Sequence, residues 1–328
     1  FFQKLNEIKT FFLFENFFKM LTCSPLYTCF SSSNRSSIAR VVNEKRLLSN
    51  INSSRENMSI YQNQQASGKK ITKVSDNPVD YTKIDTFKNA ISQNNQYLDG
   101  IDLAKGWVDI SMTSLDQINE GLITAKELAI RAADISNNDD NWQAFKNQVD
   151  DIIEDTVALT NSTFMGKSVF GCTKSLVDNA FIYNGSSITY AGNDKKVNRK
   201  IADNYYVDIN VTGREIINTN IFDALIDFKN ALDAGDVATI TDSIDYLDDA
   251  SDEISKLNSS IGSVKTQITN TENRINTANL NLKSYLSNIE DADMAEAITN
   301  YKNEETAYQA ALYSTNNAIN LNILNFLR

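Results

Sequence analysis

The stretch Ile261 to Ile289, IGSVKTQITNTENRINTANLNLKSYLSNI, decides the fold class of this 328-residue chain. Every seventh residue is apolar, and the intervening heptad positions carry small, apolar or aromatic side chains. The repeat consists of Ile261, Ile268, Ile275, Leu282 and Ile289, with Val264, Thr271, Ala278 and Tyr285 between them. A stripe with this period runs along one side of a helix and pairs with a similar stripe on another helix. The stretch therefore predicts a long helix in a coiled coil.

A second apolar stripe continues to the end of the chain in a shifted phase. The shift follows Glu290-Asp291-Ala292-Asp293, and the stripe then includes Ile298, Tyr301, Tyr308, Leu312, Ile319 and Phe326. The chain stops on the apolar stretch 322–328, NILNFLR. Because chain ends fray unless something covers them, we expect neighbouring subunits to cover Leu324, Phe326 and Leu327.

The N-terminal half carries a weaker stripe. Its apolar members are Val41, Leu48, Ile51 and Met58, and Arg55, Gln62 and Gln65 interrupt it. Gly68 is suited to end this helix in a left-handed conformation. A new helix is predicted to start at Pro78, with Asn77 as its N-cap and Asp80 in its first turn. The apolar stripe that follows predicts a second long helix.

The middle of the chain has a different character. A polar turn at 137–140 precedes a shorter amphipathic helix, which is predicted to end near Asn161. Short strands are then predicted at 181–183, 188–190 and 205–211, with Asn184-Gly185 as a hairpin turn. Beyond them we expect two helices, the first capped by Asn220 and closed by Gly235, the second capped by Asp236.

These features predict a mainly α protein with a small β-containing insert, built as an elongated coiled coil of paired N- and C-terminal helices. Four segments are expected: an atypical Phe-rich leader at 1–35 outside the fold, an N-terminal helical arm at 36–161, the insert at 162–219 and a C-terminal helical arm at 220–328. A monomeric helical bundle remains an equal alternative on the stripes alone. In the leader, Glu7, Lys9, Glu15 and Lys19 interrupt the apolar residues, so no membrane span is predicted.

Composition argues against several functions. A net charge of −11 and a pI near 4.7 make nucleic acid an unsuitable partner. The chain has no histidine, the commonest general base and metal ligand, so we predict no enzyme activity and no cofactor. Cys23, Cys29 and Cys172 have no zinc or haem spacing. The carboxylates at 248–253 are interpreted as a solvated helix face, and 134–145 fails as an EF-hand, so no catalytic, cofactor or metal residue is predicted.

Two groups of residues carry a family resemblance. The stretch ASGKKI at 66–71 and SDNPV at 75–79 resemble the S-S-G-K-R-I and S-D-D-P-V signatures near the N-terminus of the flagellin family. At the other end, IEDADMAEAIT at 289–299 resembles the D-x-D-x-A-E stretch of that family, and 308–312 with 324–327 resemble its closing segment. Val74, Cys172 and the leader depart from the pattern. The family motif residues are Ser67, Gly68, Lys69, Asp76, Pro78, Asp291 and Asp293.

The resemblance implies an extracellular structural subunit of the bacterial flagellum, exported through the flagellar type III apparatus. The ending favours a junction protein between hook and filament; the alternatives are a filament subunit and, from another class, a membrane-anchored coiled-coil signalling protein. Implied partners are further copies of the chain, axial proteins on the hook and filament sides, and an export chaperone. The predicted coiled-coil and assembly interface consists of Leu48, Ile51, Met58, Ile261, Val264, Ile268, Ile275, Leu282, Ile289, Ile298, Leu312, Ile319, Leu324, Phe326 and Leu327.

Overall fold

The computed structural model describes the backbone of residues 25–134, 139–171 and 179–326, and the side chains of 41–134, 141–171 and 179–317. The helices are α1 (Pro25–Ser67), α2 (Pro78–Ala132), α3 (Asp139–Thr160), α4 (Gly213–Ile217), α5 (Ile221–Ala234), α6 (Val237–Glu290) and α7 (Met294–Phe326). The strands are β1 (Thr163–Phe164), β2 (Lys167–Ser168), β3 (Phe181–Tyr183), β4 (Ile188–Tyr190), β5 (Asn198–Ala202) and β6 (Tyr205–Asp208). The prediction of a mainly α fold with paired terminal helices and a small β-containing insert is confirmed.

The chain divides into two compact units, one formed by 1–84 with 287–328 and the other by 85–286. The four-segment division predicted from the sequence stays a prediction. Helix α1 begins at Pro25, inside the segment 1–35 that was expected to lie outside the fold. A proline suits the first position of a helix, and each residue added to an existing helix gains a backbone hydrogen bond.

The unit 85–286 has one buried core shared by α2, α3, α5 and α6. On α2 the core residues include Ile101, Val108, Leu115 and Leu122, and on α6 they include Ile254, Ile261, Ile268 and Ile275. The heptad repeat that predicted a coiled coil thus forms the buried side of α6 over much of its length. Helix α3 packs against α5 and closes the core.

Polar side chains connect α2 and α6 along the edges of this core. The Lys105 ammonium lies 2.9 Å from the Glu272 carboxylate, and this hydrogen bond raises the pKa of Lys105. Asn279, which is buried, accepts a hydrogen bond from the amide of Asn94 at 2.8 Å and donates one to Asn95 at 3.2 Å. A buried polar residue in a helix pair specifies register, because any shift leaves its hydrogen bonds unmade.

Three antiparallel two-stranded pairs lie within this unit: β1 with β2, β3 with β4, and β5 with β6. The strands predicted at 181–183 and 188–190 are confirmed, and Asn184 closes the turn between them by accepting hydrogen bonds from the main-chain N–H groups of Ser186 and Ser187. The strand predicted at 205–211 ends earlier, at Asp208. Beyond it the Ile209 N–H still donates to the Val197 carbonyl, but the Val197 N–H donates to the side-chain oxygen of Asn210 and not to a main-chain carbonyl.

The predicted helix ends are confirmed with one correction. Gly68 and Gly235 both have positive φ, at 69° and 63°, as left-handed helix ends require. Asp236 accepts a hydrogen bond from the Ala238 N–H at the start of α6. Asn220 precedes α5 as expected, but its own φ is 57° and its side chain makes no capping hydrogen bond. In that left-handed conformation it does not have the extended backbone of a side-chain N-cap.

Candidate assembly interface

Helices α1 and α7 pack against each other in the unit formed by 1–84 and 287–328. The half-buried side of α1 includes Leu47, Ile51, Ser54, Met58 and Tyr61, and that of α7 includes Tyr301, Glu304, Tyr308 and Ala311 beside the buried Ala297. The Asn57 amide donates to the Glu304 carboxylate at 3.0 Å, and the Gln65 amide donates to the Ala297 carbonyl at 3.2 Å. Few of these side chains are fully buried, so the pair has a thin core.

Large apolar side chains remain exposed on this helix pair. Leu48 is 57% exposed, Ile298 50% and Leu312 44%. Val41, Val42, Ile60 and Tyr313 are also exposed. Monomeric proteins place single apolar residues on their surfaces, but a run of them along two packed helices is typical of an interaction site.

In both helices, some members of the predicted stripe lie one residue away from the observed seam. Leu47 occupies the seam of α1, so Leu48 lies on its flank. In α7 the seam uses Ala297 and Ala311, and Ile298 and Leu312 therefore point about 100° away from it. The small alanines let the two helices approach closely, and the larger side chains are left outside. Ile51 and Met58 are half-buried and lie on the seam.

The remaining predicted interface residues fall into two groups. On α6, Ile261, Ile268 and Ile275 are buried, and Val264, Leu282 and Ile289 are half-buried. At the chain end, the side chains of Ile319, Leu324 and Phe326 and all of Leu327 lie outside the described residues, as do Cys172 and the side chain of Cys29.

The family motif residues form the break between α1 and α2 and the break between α6 and α7, and the two breaks are joined. The Lys70 N–H donates to the Glu290 carbonyl at 2.6 Å, and the Ala292 N–H donates to the Gly68 carbonyl at 2.9 Å. Lys69 also lies 2.7 Å from the carboxylate of Glu290, whose side chain is 7% exposed. Residues from the two ends of the sequence therefore hold each other by backbone and side-chain bonds.

Asp76 organises the turn that leads into α2. Its carboxylate accepts hydrogen bonds from the main-chain N–H groups of Thr72 and Lys73 at 3.0 and 2.9 Å, and these bonds lower its pKa. Asn77 then caps α2, since its side-chain oxygen accepts from the N–H groups of Val79 and Asp80 at 3.1 Å each. Pro78 occupies the first helical position as predicted.

Asp293 has the same capping role for α7. Its carboxylate accepts from the N–H groups of Ala295 and Glu296, at 2.9 and 3.2 Å. Asp291 accepts from the Ser287 hydroxyl at 2.6 Å, where α6 ends. In the sequence, only the family resemblance points to Asp76 and Asp293. Their local signal was a short acidic residue just before a helical stretch, with Glu296 three residues after Asp293.

Two carboxylates of the acidic cluster at 248–253 are paired with lysines. In the cluster at 248–253, Asp248 pairs with Lys126 and Glu253 with Lys256. No group of His, Cys, Asp and Glu suited to a metal ion occurs among the described residues. Across the same residues, no helix combines the length and apolar character that crossing a bilayer requires.

The fold and this interface define a class: mainly α-helical proteins whose N- and C-terminal segments pair as helices and whose sequence carries an insert between them. Family models give that class its name. The bacterial flagellin N-terminal helical region matches 38–172, and the bacterial flagellin C-terminal helical region matches 244–327. The chain belongs to the flagellin family.

Individual relatives agree with this assignment. The chain is 22% identical over 275 residues to flagellar hook-associated protein 3 of Salmonella typhimurium, covering 76% of this chain and 86% of that protein. Its fold is similar to that of a Vibrio parahaemolyticus protein described as a flagellar hook-associated protein, with a TM-score of 0.61, 17% identity, and 66% of this chain and 100% of that chain covered. Bacillus cereus FlgL gives a TM-score of 0.54 at 21% identity, with 62% and 99% covered.

Proposed function

We propose that this chain is a structural, non-catalytic subunit of the bacterial flagellum that joins hook to filament outside the cell. Copies of the chain pack against one another and against axial proteins on the hook and filament sides. An export chaperone covers the apolar residues before assembly. The name of the Salmonella relative, hook-associated protein 3, supports the junction role over that of a filament subunit.

The observation that carries this proposal is the exposed apolar surface of α1 and α7. Leu48, Ile298 and Leu312 belong to helices that already pair within the chain, yet about half of each side chain remains exposed to solvent. Covering the exposed half of each side chain against a neighbour would contribute roughly 1 kcal/mol, about half of what full burial of an exposed Leu or Ile provides. A subunit whose terminal helices are completed by neighbours needs no catalytic or cofactor chemistry.

Truncation tests the assembly role. Deleting 319–328 should abolish incorporation into the flagellum and leave a soluble helical monomer, because the apolar ending would no longer reach a neighbour. Incorporation is measured by shearing appendages from cells and immunoblotting them, and helicity by circular dichroism. A truncated chain that still assembles contradicts the proposal.

Electron microscopy of a strain lacking the gene distinguishes the candidate functions. Hooks without filaments support the junction role. Absent filaments beside intact junction proteins would instead identify a filament subunit. A chain that fractionates with the inner membrane would support the signalling protein.

A further inference from the structure

The β1–β2 turn carries the most exposed large apolar side chain in the described part of the chain. Met165 is 75% exposed, and Met165 and Gly166 have φ of 51° and 75°. Both central residues of such a two-residue turn need positive φ, which Asn and Gly adopt readily and Met does not. Met165 therefore occupies a conformation that disfavours its side chain, at a place where nothing in the described chain buries it. An outlier of this kind points towards function.

Contacts with α2 hold the β1–β2 hairpin in place. Phe164 packs edge-on against Trp107 at a centroid distance of 6.2 Å, and its ring lies over Gly106 so closely that a Cβ there would meet it at 2.7 Å. The Ser114 hydroxyl also bonds the hydroxyl of Ser162, which precedes β1, at 3.0 Å. The turn thus presents Met165 on a rigid support.

A groove runs between α2 and α6 in the same compact unit. It encloses about 360 Å³, and its lining includes Met112, Asp116, Asn119, Asn258, Ser259 and Gly262. Gly262 and Ser259 are small, so the α6 side of the groove is shallow. The side chain of Met112 lines the bottom of the groove. Among the described residues, the buried side-chain oxygen of Asn258 accepts no hydrogen bond. The side chain of Met112 thus gives this groove an apolar floor.

The turn and the groove lie on different sides of the unit. At about 100° per residue, Trp107, under the hairpin, and Asp116, in the groove, point to opposite sides of α2. A turn on one side cannot enter the groove of its own chain. If it enters the groove of another copy, the contact is heterologous and can repeat around a ring or along a helix.

Charge favours that pairing. Lys167 follows the turn, is exposed, and makes no ion pair within the described residues. Asp116 is exposed at the groove, and Glu120, one helical turn further along α2, is exposed as well. Positive charge next to the apolar tip thus meets negative charge next to the apolar floor, which orients an approaching partner.

We propose that the β1–β2 turn of one copy inserts Met165 into the α2–α6 groove of a second copy, with Lys167 against Asp116. The inference rests on the proposed function, since it presumes copies assembled side by side. It assigns a contact outside the helix pair α1–α7.

Disulfide cross-linking tests the contact directly. The full chain carries M165C and S259C on a background in which Cys23, Cys29 and Cys172 are replaced by Ser, and sheared appendages are oxidised. A ladder of multimers is expected, because each copy offers one turn and one groove. Single-cysteine chains should remain uncross-linked. Absence of the ladder, cross-links between two M165C chains alone, or cross-links to a different protein would overturn the inference.

Two substitutions separate docking from folding. Met165→Gly suits the positive φ, so circular dichroism and the melting temperature should not fall, while recovery of the chain in sheared appendages should drop about tenfold. Lys167→Glu should weaken assembly similarly, and adding Asp116→Lys should restore it. Normal assembly of the Met165→Gly chain, or no rescue by the paired charge reversal, contradicts the contact.

The two proposals fail in distinguishable ways. Antibody labelling that finds the wild-type chain nowhere in the flagellum refutes the junction role. In that case, cross-linking of the concentrated purified chain still decides whether the turn enters the groove. A chain present at the junction whose 165 and 259 positions do not cross-link refutes only the turn-and-groove contact.

Discussion

The side chain of Asn77 satisfies two main-chain N–H groups at the start of α2, those of Val79 and Asp80. Replacing it by Ala leaves both donors without this acceptor. Asn77→Ala should therefore lower the free energy of unfolding by about 1 kcal/mol, as urea denaturation followed by circular dichroism would measure. Asn77→Ser is the matched control, because its hydroxyl can cap the helix, and it should retain most of the stability. Equal losses in both variants would assign the loss to something other than the capping hydrogen bonds.

Asp76 makes the turn before α2 sensitive to acid. Main-chain N–H donors lower the pKa of Asp76 in the folded chain, so its stabilising effect is fully present above the ordinary carboxyl pKa. The effect is lost as the pH falls below about 4 and through the lowered pKa. Hydrogen-exchange protection of the Thr72 and Lys73 amides, corrected for intrinsic rates, should decline over that range. In Asp76→Asn the decline should be absent; the same decline in both proteins would assign it to another group.

At the scale of helices, isoleucines in the two C-terminal stripes have different environments. Ile268 of α6 is fully buried and Ile298 of α7 is 50% exposed. Ile268→Ala should cost about 2–5 kcal/mol of unfolding free energy in the isolated chain. Ile298→Ala should cost less than about 0.5 kcal/mol there, yet reduce incorporation into appendages. Chemical denaturation and immunoblots of sheared appendages supply the two measurements, and a large loss of monomer stability in Ile298→Ala would contradict an interface role.

Helix ends and turns were predictable from the sequence because their chemistry is local. Gly68, Asn77, Pro78 and the turn at Asn184 act on backbone groups within a few residues of themselves. Which side of each helix faces its partner was harder to predict from the sequence. Whether Ile298 or Ala297 faces α1 depends on how closely two segments that are distant in the sequence approach each other. A stripe of large apolar residues in the sequence selects Ile298, the larger side chain.

The candidate site shows the same limit. Resemblance selected Lys69 and Asp291, but their roles depend on partners far along the chain: the Lys69 ammonium pairs with Glu290, 221 residues away. The groove beside Gly262 has no signature in the sequence, because it arises only when α2 and α6 lie together. Met165 was visible only as a residue before Gly166, and its exposure required the structure.

At the scale of the whole molecule, the net charge of −11 opposes association. Copies that approach one another repel through water, and salt screens this repulsion within a Debye length of about 10 Å at 0.1 M. Raising NaCl from about 20 to about 200 mM should therefore speed self-association of the purified chain, as light scattering would follow. Slower association in salt would indicate that attraction between opposite charges, such as Lys167 and Asp116, outweighs the net repulsion.

The backbone bridge between Lys69 and Asp291 also bears on synthesis. A ribosome completes α1 long before it adds the residues that α1 pairs with, so the nascent chain carries an unpaired N-terminal helix through most of its translation. Such late, distant pairing is slow and leaves apolar surface open meanwhile. We therefore expect the α1–α7 pair to form after the unit 85–286, whose residues are all synthesised before α7, and to depend most on what the new chain meets first.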